Sequence, residues 1–363
     1  MYQGWGSAPG GGQPAPRWRT GWIIGGAAAA LVMMCACVVV VVALLVPLAL
    51  TRIAARLPTP GSGSVAPAAC SGAAPRDTAP ADTTGQFTIQ PLYAEALNYA
   101  RDAQGQPTSQ RIQIWAKDVL GPYPAMNDIF TSAVGGVDQW NQSLGGIDPS
   151  AFRCVVLDMQ RAHVEHQALA TLQAAARELP GPHTVAYLVP WNTDRFYGAS
   201  GEQSLLIPFW EPDPLNRLLP RDSAQDWFYM AGALDHEYME VARYDRLGSL
   251  DNAYLTLLDN MVTDGMADDF AAHMTGQRPD WGIDPATEAA LWAKFKPSVT
   301  EYANPNQESE MLGDPANGIP NAAGYQIGDH IVADYLARHP QVTFDQLAGM
   351  DATVIYAGSG YNG

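Results

Sequence analysis

The chain reads as an α+β protein, with a small sheet subdomain followed by a mainly helical half, all behind one N-terminal transmembrane helix. Three observations predict this. Two short apolar runs bounded by turn residues, HTVAYLV at 183–189 and SLLIPF at 204–209, have the length and composition of strands. From Asp226 onward the apolar residues recur at helical spacing in four successive stretches. Residues 21–50 form a run of 30 without a charged or amide side chain, whereas about 20 apolar residues span a bilayer as a helix.

Taken in order, residues 1–20 are Gly- and Pro-rich and read as a disordered tail. The run 21–50 is too long for a buried soluble helix, and it starts too late for a cleaved signal peptide. Trp18 and Trp22 suit its interface. Two arginines flank each end, so loop charge gives no orientation. The main domain is expected outside the cell membrane, anchored by this single helix. Residues 51–85, rich in Pro, Ala, Gly, Ser and Thr, read as a linker, and the folded domain is expected over 86–363.

Within that domain, helices are expected at Leu92–Ala103 and at Gln110–Leu120, the second ended by Gly121-Pro122. A looser region with two Gly-Gly pairs follows, then a helix at Arg161–Leu179. The run 204–209 contains Pro208, which suits a sheet edge. Helices are then predicted at 226–244, 251–274, 286–303 and 324–338, with breaks at Gly282–Pro285 and Asn304–Pro320.

The net charge is −17. The only basic residues before residue 57 are Arg17, Arg19, Arg52 and Arg56, so the rest carries 16 of the 20 basic residues and all 37 acidic ones. Such a surface repels nucleic acid and anionic lipid, and no nucleic-acid partner is expected. Cys35 and Cys37 lie in the apolar run. Cys70 and Cys154 are a candidate disulfide of an exported domain, with two free thiols as the other reading. No phosphate-binding Gly-rich loop and no strand–turn–helix with a Gly-x-Ser-x-Gly nucleophile is present.

The chemistry concentrates in AGALDHEYMEVARY, residues 231–244. At 100° per residue, Trp227, Met230, Ala231, Leu234, Tyr238 and Val241 form one apolar stripe, with Tyr229 and Ala233 on the other side. His236 and Glu240 fall opposite the stripe, and Glu237 lies at its boundary. A His-Glu pair with a further donor four residues after the His is the core of a metallohydrolase helix. Exposed i,i+4 and i,i+3 pairs, Glu240 with Arg243 among them, account for the same pattern. On the next helix Asp268 falls on the buried stripe of Tyr254, Leu257, Leu258 and Met261, and Asp264 near its edge. A core-facing carboxylate is costly unless paired or bound to a cation; an Asp–Arg pair with Arg243 is the other solution. His163 and His166 have the spacing to share a metal but fit a solvated helix face as well. His183, His273 and His339 sit at element ends.

The segments LDHEYMEVARY, LLDNMVTDGMADDFAAHMTG and GYQIGDHIVADYLARHP together resemble an uncharacterised bacterial family of predicted zinc-dependent proteases, related to the gluzincins and marked by an HEYHH-type motif. The resemblance is firm from about Ala231 to Pro340. It implies a zincin-like helical half in which His236, Glu240 and Asp264 hold Zn²⁺ and Glu237 activates water. It also implies that Tyr325, in the G-Y-x-I-G segment, bonds substrate or intermediate. Asp268 and His330 would stand behind these groups.

The chain departs from the family where Glu240 replaces the second His ligand and Asp264 replaces a Glu. One imidazole with two carboxylates is a harder, more anionic donor set. Zinc, another divalent ion or no metal at all are then open. The expected function is a membrane-anchored metallopeptidase acting on a peptide or protein substrate, with an inactive peptide-binding envelope module as the alternative.

Overall fold

In a computed structural model of the chain, Asp82 organises the turn that leads into the first strand. Its carboxylate accepts from the N–H groups of Gln86 and Phe87, at 2.7 and 2.8 Å, and from Nε2 of Gln173 at 2.8 Å. A side chain that answers several backbone donors stabilises a turn without any apolar signal. The structure describes residues 80, 82–126, 129, 149–161, 163–190, 198–209, 230–302 and 304–363. All of these belong to one unit, Pro67–Gly363. The tail 1–20, the run 21–50, Cys70, Trp227, Tyr229 and both Gly-Gly pairs lie outside the described residues.

The protein is mixed α+β, mostly helical, with a four-stranded sheet. Strands β1 (Phe87–Pro91), β2 (Thr184–Pro190), β3 (Ala199–Gly201) and β4 (Ser204–Phe209) lie in the order β1-β2-β4-β3. The first, second and fourth run parallel, and β3 is antiparallel to β4. Ala186 through Pro190 of the central β2 are all buried, as in a strand covered on both faces.

The expected edge position of Ser204–Phe209 is corrected. This strand is paired on both sides over Ser204–Leu206, and β3 forms the edge. The three residues Ala-Ser-Gly carry no apolar alternation, so sequence pattern does not reveal them. Pro208 lies beyond the last β3 partner, Leu206, so its missing N–H breaks no ladder on that side.

Helix α1 (Tyr93–Asp102) packs beside the sheet and α2 (Thr108–Trp115) packs on α1, running on as a π-helical turn, Ala116–Leu120. Tyr99, Trp115 and Phe152 meet edge to face, with centroids 5.1–5.8 Å apart. The helix expected at Arg161–Leu179 is α4 (Val164–Glu178), and a helix the sequence reading did not mark, α3 (Pro149–Arg161), precedes it. They are separated by His163 in the left-handed region at φ 50°. Cys154, on α3, is disulfide-bonded.

The second half holds α5 (Met230–Leu247), α6 (Leu250–Ala253), α7 (Leu257–Thr275), α8 (Pro285–Phe295), α9 (Gln307–Leu312), α10 (Ala323–Arg338), α11 (Phe344–Ala348) and α12 (Ala352–Ser359). The single helix expected over 251–274 breaks before Thr256, which starts α7 through a reciprocal capping box with Asp259. Asp284 caps α8 with Pro285 at its first turn. That helix stops at Phe295, well short of the expected 303. The segment Asn304–Pro320, expected to be irregular, holds α9. Among the described residues no helix is long and apolar enough to cross a membrane.

Helix α5 is the centre of this half. It packs on α7, α4, β3 and β4, and α7 in turn packs on α10. The alternative of exposed i,i+4 and i,i+3 pairs on this helix is therefore corrected. Every residue from Gly232 to Tyr244 is buried, so no face of that stretch meets solvent.

Candidate metal centre

Residues 236, 237 and 240 lie within about one turn of α5, and residues 264 and 268 are one turn apart on α7. The packing of these helices turns both sets toward each other. Nε2 of His236 lies 3.7 Å from Oε1 of Glu240 and 3.9 Å from Oδ1 of Asp264. One ligand atom from each of the three falls within 4.8 Å of the others. All three are buried, with side-chain exposures of 11% at His236 and 10% at Asp264.

Behind the imidazole stands Asp268, fully buried, with Oδ1 2.9 Å from Nδ1 of His236. A carboxylate there takes the hydrogen bond of Nδ1, so Nε2 is the nitrogen that faces Glu240 and Asp264. The same arrangement orients histidine ligands in metal sites. Oε2 of Glu237 and Oδ2 of Asp268 are buried with no hydrogen-bond partner among the described residues. A buried polar atom without a partner costs about 1–3 kcal/mol, and a bound cation or water removes that cost.

Glu237 is shaped by β3 as well. A Cβ added at Gly198 would stand 2.6 Å from Cγ of Glu237, so only glycine lets the backbone pass over this side chain. Burial, then the charge of Glu240, pushes Glu237 well above the usual carboxylate range, and the same two causes raise Asp264. Burial works on Glu240 too. The hydrogen bond and charge of His236, with help from Ser200 and Tyr244, outweigh it and keep Glu240 below its ordinary value. Burial disfavours charged His236, yet Asp268 and Glu240 overcome it and hold the ring well above its ordinary value. The centre carries more acid than its single imidazole balances, the condition under which a cation binds.

Glu240 is held by three hydroxyls. Ser200 Oγ, on β3, donates to Oε2. Tyr244 donates to the same oxygen at 3.0 Å, and Tyr254 donates to Oε1 at 3.1 Å. Sequence reading missed Ser200 and Tyr244 and placed Tyr254 only on a buried stripe. The one available signal was the i,i+4 spacing of Glu240 and Tyr244.

Tyr325 reaches the cluster through glycine packing. A Cβ on Gly265 of α7 would stand 2.8 Å from the Asp329 nitrogen, and one on Gly328 of α10 would stand 2.6 Å from the Met261 carbonyl carbon. The helices thus meet backbone to backbone. Tyr325, one turn before Gly328, has its hydroxyl raised well above the ordinary value, first by the charge of Asp264 and then by burial. Its ring lies against Trp281, centroids 5.1 Å apart.

His330 does not join the cluster. Its Nδ1 pairs with Oε1 of Glu288 at 2.7 Å, on α8, and its side chain is 47% exposed. One residue on from Asp329, it leaves α10 on a different side from Tyr325. Arg243 likewise makes none of the expected carboxylate contacts. It donates to Thr263 Oγ1 at 2.9 Å and to the Ala348 and Met350 carbonyls. Asp269 and Asp329 instead share Arg278, each in a short ion pair. A second group, His163, Glu165 and His166, also comes within 4.8 Å, with both imidazoles exposed.

The site thus defines a class: a carboxylate-rich candidate metal centre on two crossed helices beside a sheet edge. Residues 214–357 match the model of a family described as predicted Zn-dependent protease (DUF2268). No curated protein and no solved structure matches the chain.

Proposed function

We propose that the chain is a membrane-anchored metallopeptidase, held by the run 21–50 with its domain outside the cell membrane and braced by a Cys70–Cys154 disulfide. The observation that carries this reading is the convergence of His236, Glu240 and Asp264 within 4.8 Å, with Asp268 behind the imidazole. Donors on a tetrahedral zinc are about 3.3–3.5 Å apart, given metal–ligand distances of about 2.0–2.1 Å. The 3.7 and 3.9 Å separations here need a contraction of only a few tenths of an ångström. Zinc is the metal that the matching family's description names.

His236, Glu240 and Asp264 would hold the ion, which when bound supplies Lewis acidity toward a carbonyl oxygen and acidifies water. Glu237 acts as general base and then as acid. Its Oε2, buried and without a hydrogen-bond partner among the described residues, is the oxygen that takes a proton and returns it to the leaving nitrogen. Tyr325 orients the carbonyl or the intermediate. The outer side of β3, unpaired among the described residues, is the place for an extended peptide to add as a strand. Residues 204–209, expected at the sheet edge, are paired on both sides over Ser204–Leu206 and leave this place to β3.

The test is to purify the full chain, measure metal per chain, and assay a mixed peptide library with wild type and Glu237→Gln. One divalent ion per chain with cleavage lost in the variant supports the reading. Absence of both metal and cleavage leaves a peptide-binding module.

A further inference from the structure

Resting on the reading of this cluster as a metal centre, we infer that Ser200, Tyr244 and Tyr254 are a purpose-built support holding Glu240 as an anionic ligand. The centre then takes an oxygen-preferring divalent cation of the Mn²⁺ class in addition to zinc. The support is assembled from three places: strand β3, helix α5, and the turn between α6 and α7. Its hydroxyls are linked, with Ser200 Oγ 2.8 Å from the Tyr244 hydroxyl and the latter 2.7 Å from the Tyr254 hydroxyl. Each hydroxyl brings one proton. All three lie within hydrogen-bond reach of the Glu240 carboxylate, the only acceptor among these contacts that is not itself a hydroxyl.

This arrangement is the complement of a carboxylate. An imidazole ligand at 240 would call for an acceptor behind it, as Asp268 serves His236. Three converging donors answer a carboxylate instead, and charge-assisted hydrogen bonds of this kind are among the stronger ones. The three hydroxyls fix the position of both Glu240 oxygens beside His236. Carboxylate oxygens suit Mn²⁺, whereas each imidazole exchanged for carboxylate removes a donor that zinc favours.

The inference concerns relative affinity, because zinc outranks Mn²⁺ at most sites of mixed donors. The full chain, stripped with chelator, is titrated with MnCl₂ while the spin-resonance signal of free Mn²⁺ is followed. Zinc affinity is measured by competition with a chromophoric chelator. Wild type is expected to bind one Mn²⁺. Glu240→His should raise the zinc-to-manganese affinity ratio by about tenfold or more. Ser200→Ala and Tyr254→Phe should each weaken Mn²⁺ by about 10–100-fold, the usual effect of deleting a partner behind a ligand. Tyr254→Phe keeps the ring, and its unfolding midpoint shows whether the fold survives. A ratio unchanged by Glu240→His, or full Mn²⁺ affinity in a folded Ser200→Ala/Tyr254→Phe double variant, overturns the inference and leaves the metallopeptidase reading standing. Binding of neither ion by wild type overturns both.

Discussion

Asp268 fixes His236: Oδ1 of the one stands 2.9 Å from Nδ1 of the other, and the carboxylate is wholly buried behind the ring. The pair sets which imidazole nitrogen faces Glu240 and Asp264. Asp268→Asn can still accept a hydrogen bond but no longer supplies the charge, and it can present an N–H to the ring. Metal affinity is expected to fall about 10–100-fold, read by competition with a chromophoric chelator, with the circular dichroism spectrum unchanged.

Glu237 and Gly198 separate chemistry from binding. Glu237→Gln should lower kcat by about 10²–10⁴-fold, the usual share of a general base, while metal content stays at one ion per chain. Gly198→Ala should lower kcat as well, because its Cβ displaces the Glu237 side chain while the three ligand residues stay in place. Single-turnover assays and metal analysis on the same samples decide this. A Gln variant with wild-type turnover would remove Glu237 from the mechanism.

Gly328 and Gly265 carry the crossing of α7 and α10. Alanine at either position drives a methyl into backbone, and overpacking of this kind costs about 1–3 kcal/mol. Each single variant should lower the urea midpoint. The double variant should be less destabilised than the sum, because once the helices have parted the second methyl finds room.

Removal of metal should destabilise the protein. A chelator should lower the thermal midpoint, and readdition at about 100 times Kd should restore about 2.7 kcal/mol. A midpoint indifferent to chelator in protein known to carry the ion would mean that the centre contributes nothing to folding.

His330 and Glu288 should give stability a pH dependence away from the centre. The Glu288 hydrogen bond raises His330 above 6.5. Its contribution is therefore complete below pH 6.5 and is lost as pH rises through the raised value. Burial pushes Glu288 up, but hydrogen bonds from His330, Tyr361 and Gln326 outweigh it and hold Glu288 below 4.5. That contribution is present above pH 4.5 and is lost as pH falls through the lowered value. The stabilising window lies between. His330→Gln should therefore be less stable than wild type near pH 5.5, by no more than about 1 kcal/mol because the imidazole is half exposed. The gap should narrow as pH rises through the raised His330 value, as followed by urea unfolding across that range.

The sequence by itself determined the helical second half and the residues bearing donor groups, because His236, Glu240, Asp264 and Asp268 recur at one-turn spacings that any helix must align. The α+β class followed from the same periodicity, and Ser204–Phe209 was legible as a strand from its apolar run. Local spacing carries no information on which helix covers which. Only tertiary structure buried α5 on every side, turned Arg243 to backbone carbonyls, sent His330 to Glu288, and set β3 beside the centre. The hydroxyl cage of Glu240 gathers residues 200, 244 and 254 from separate elements. Contacts of that kind arise from packing, which periodicity along a single chain does not encode.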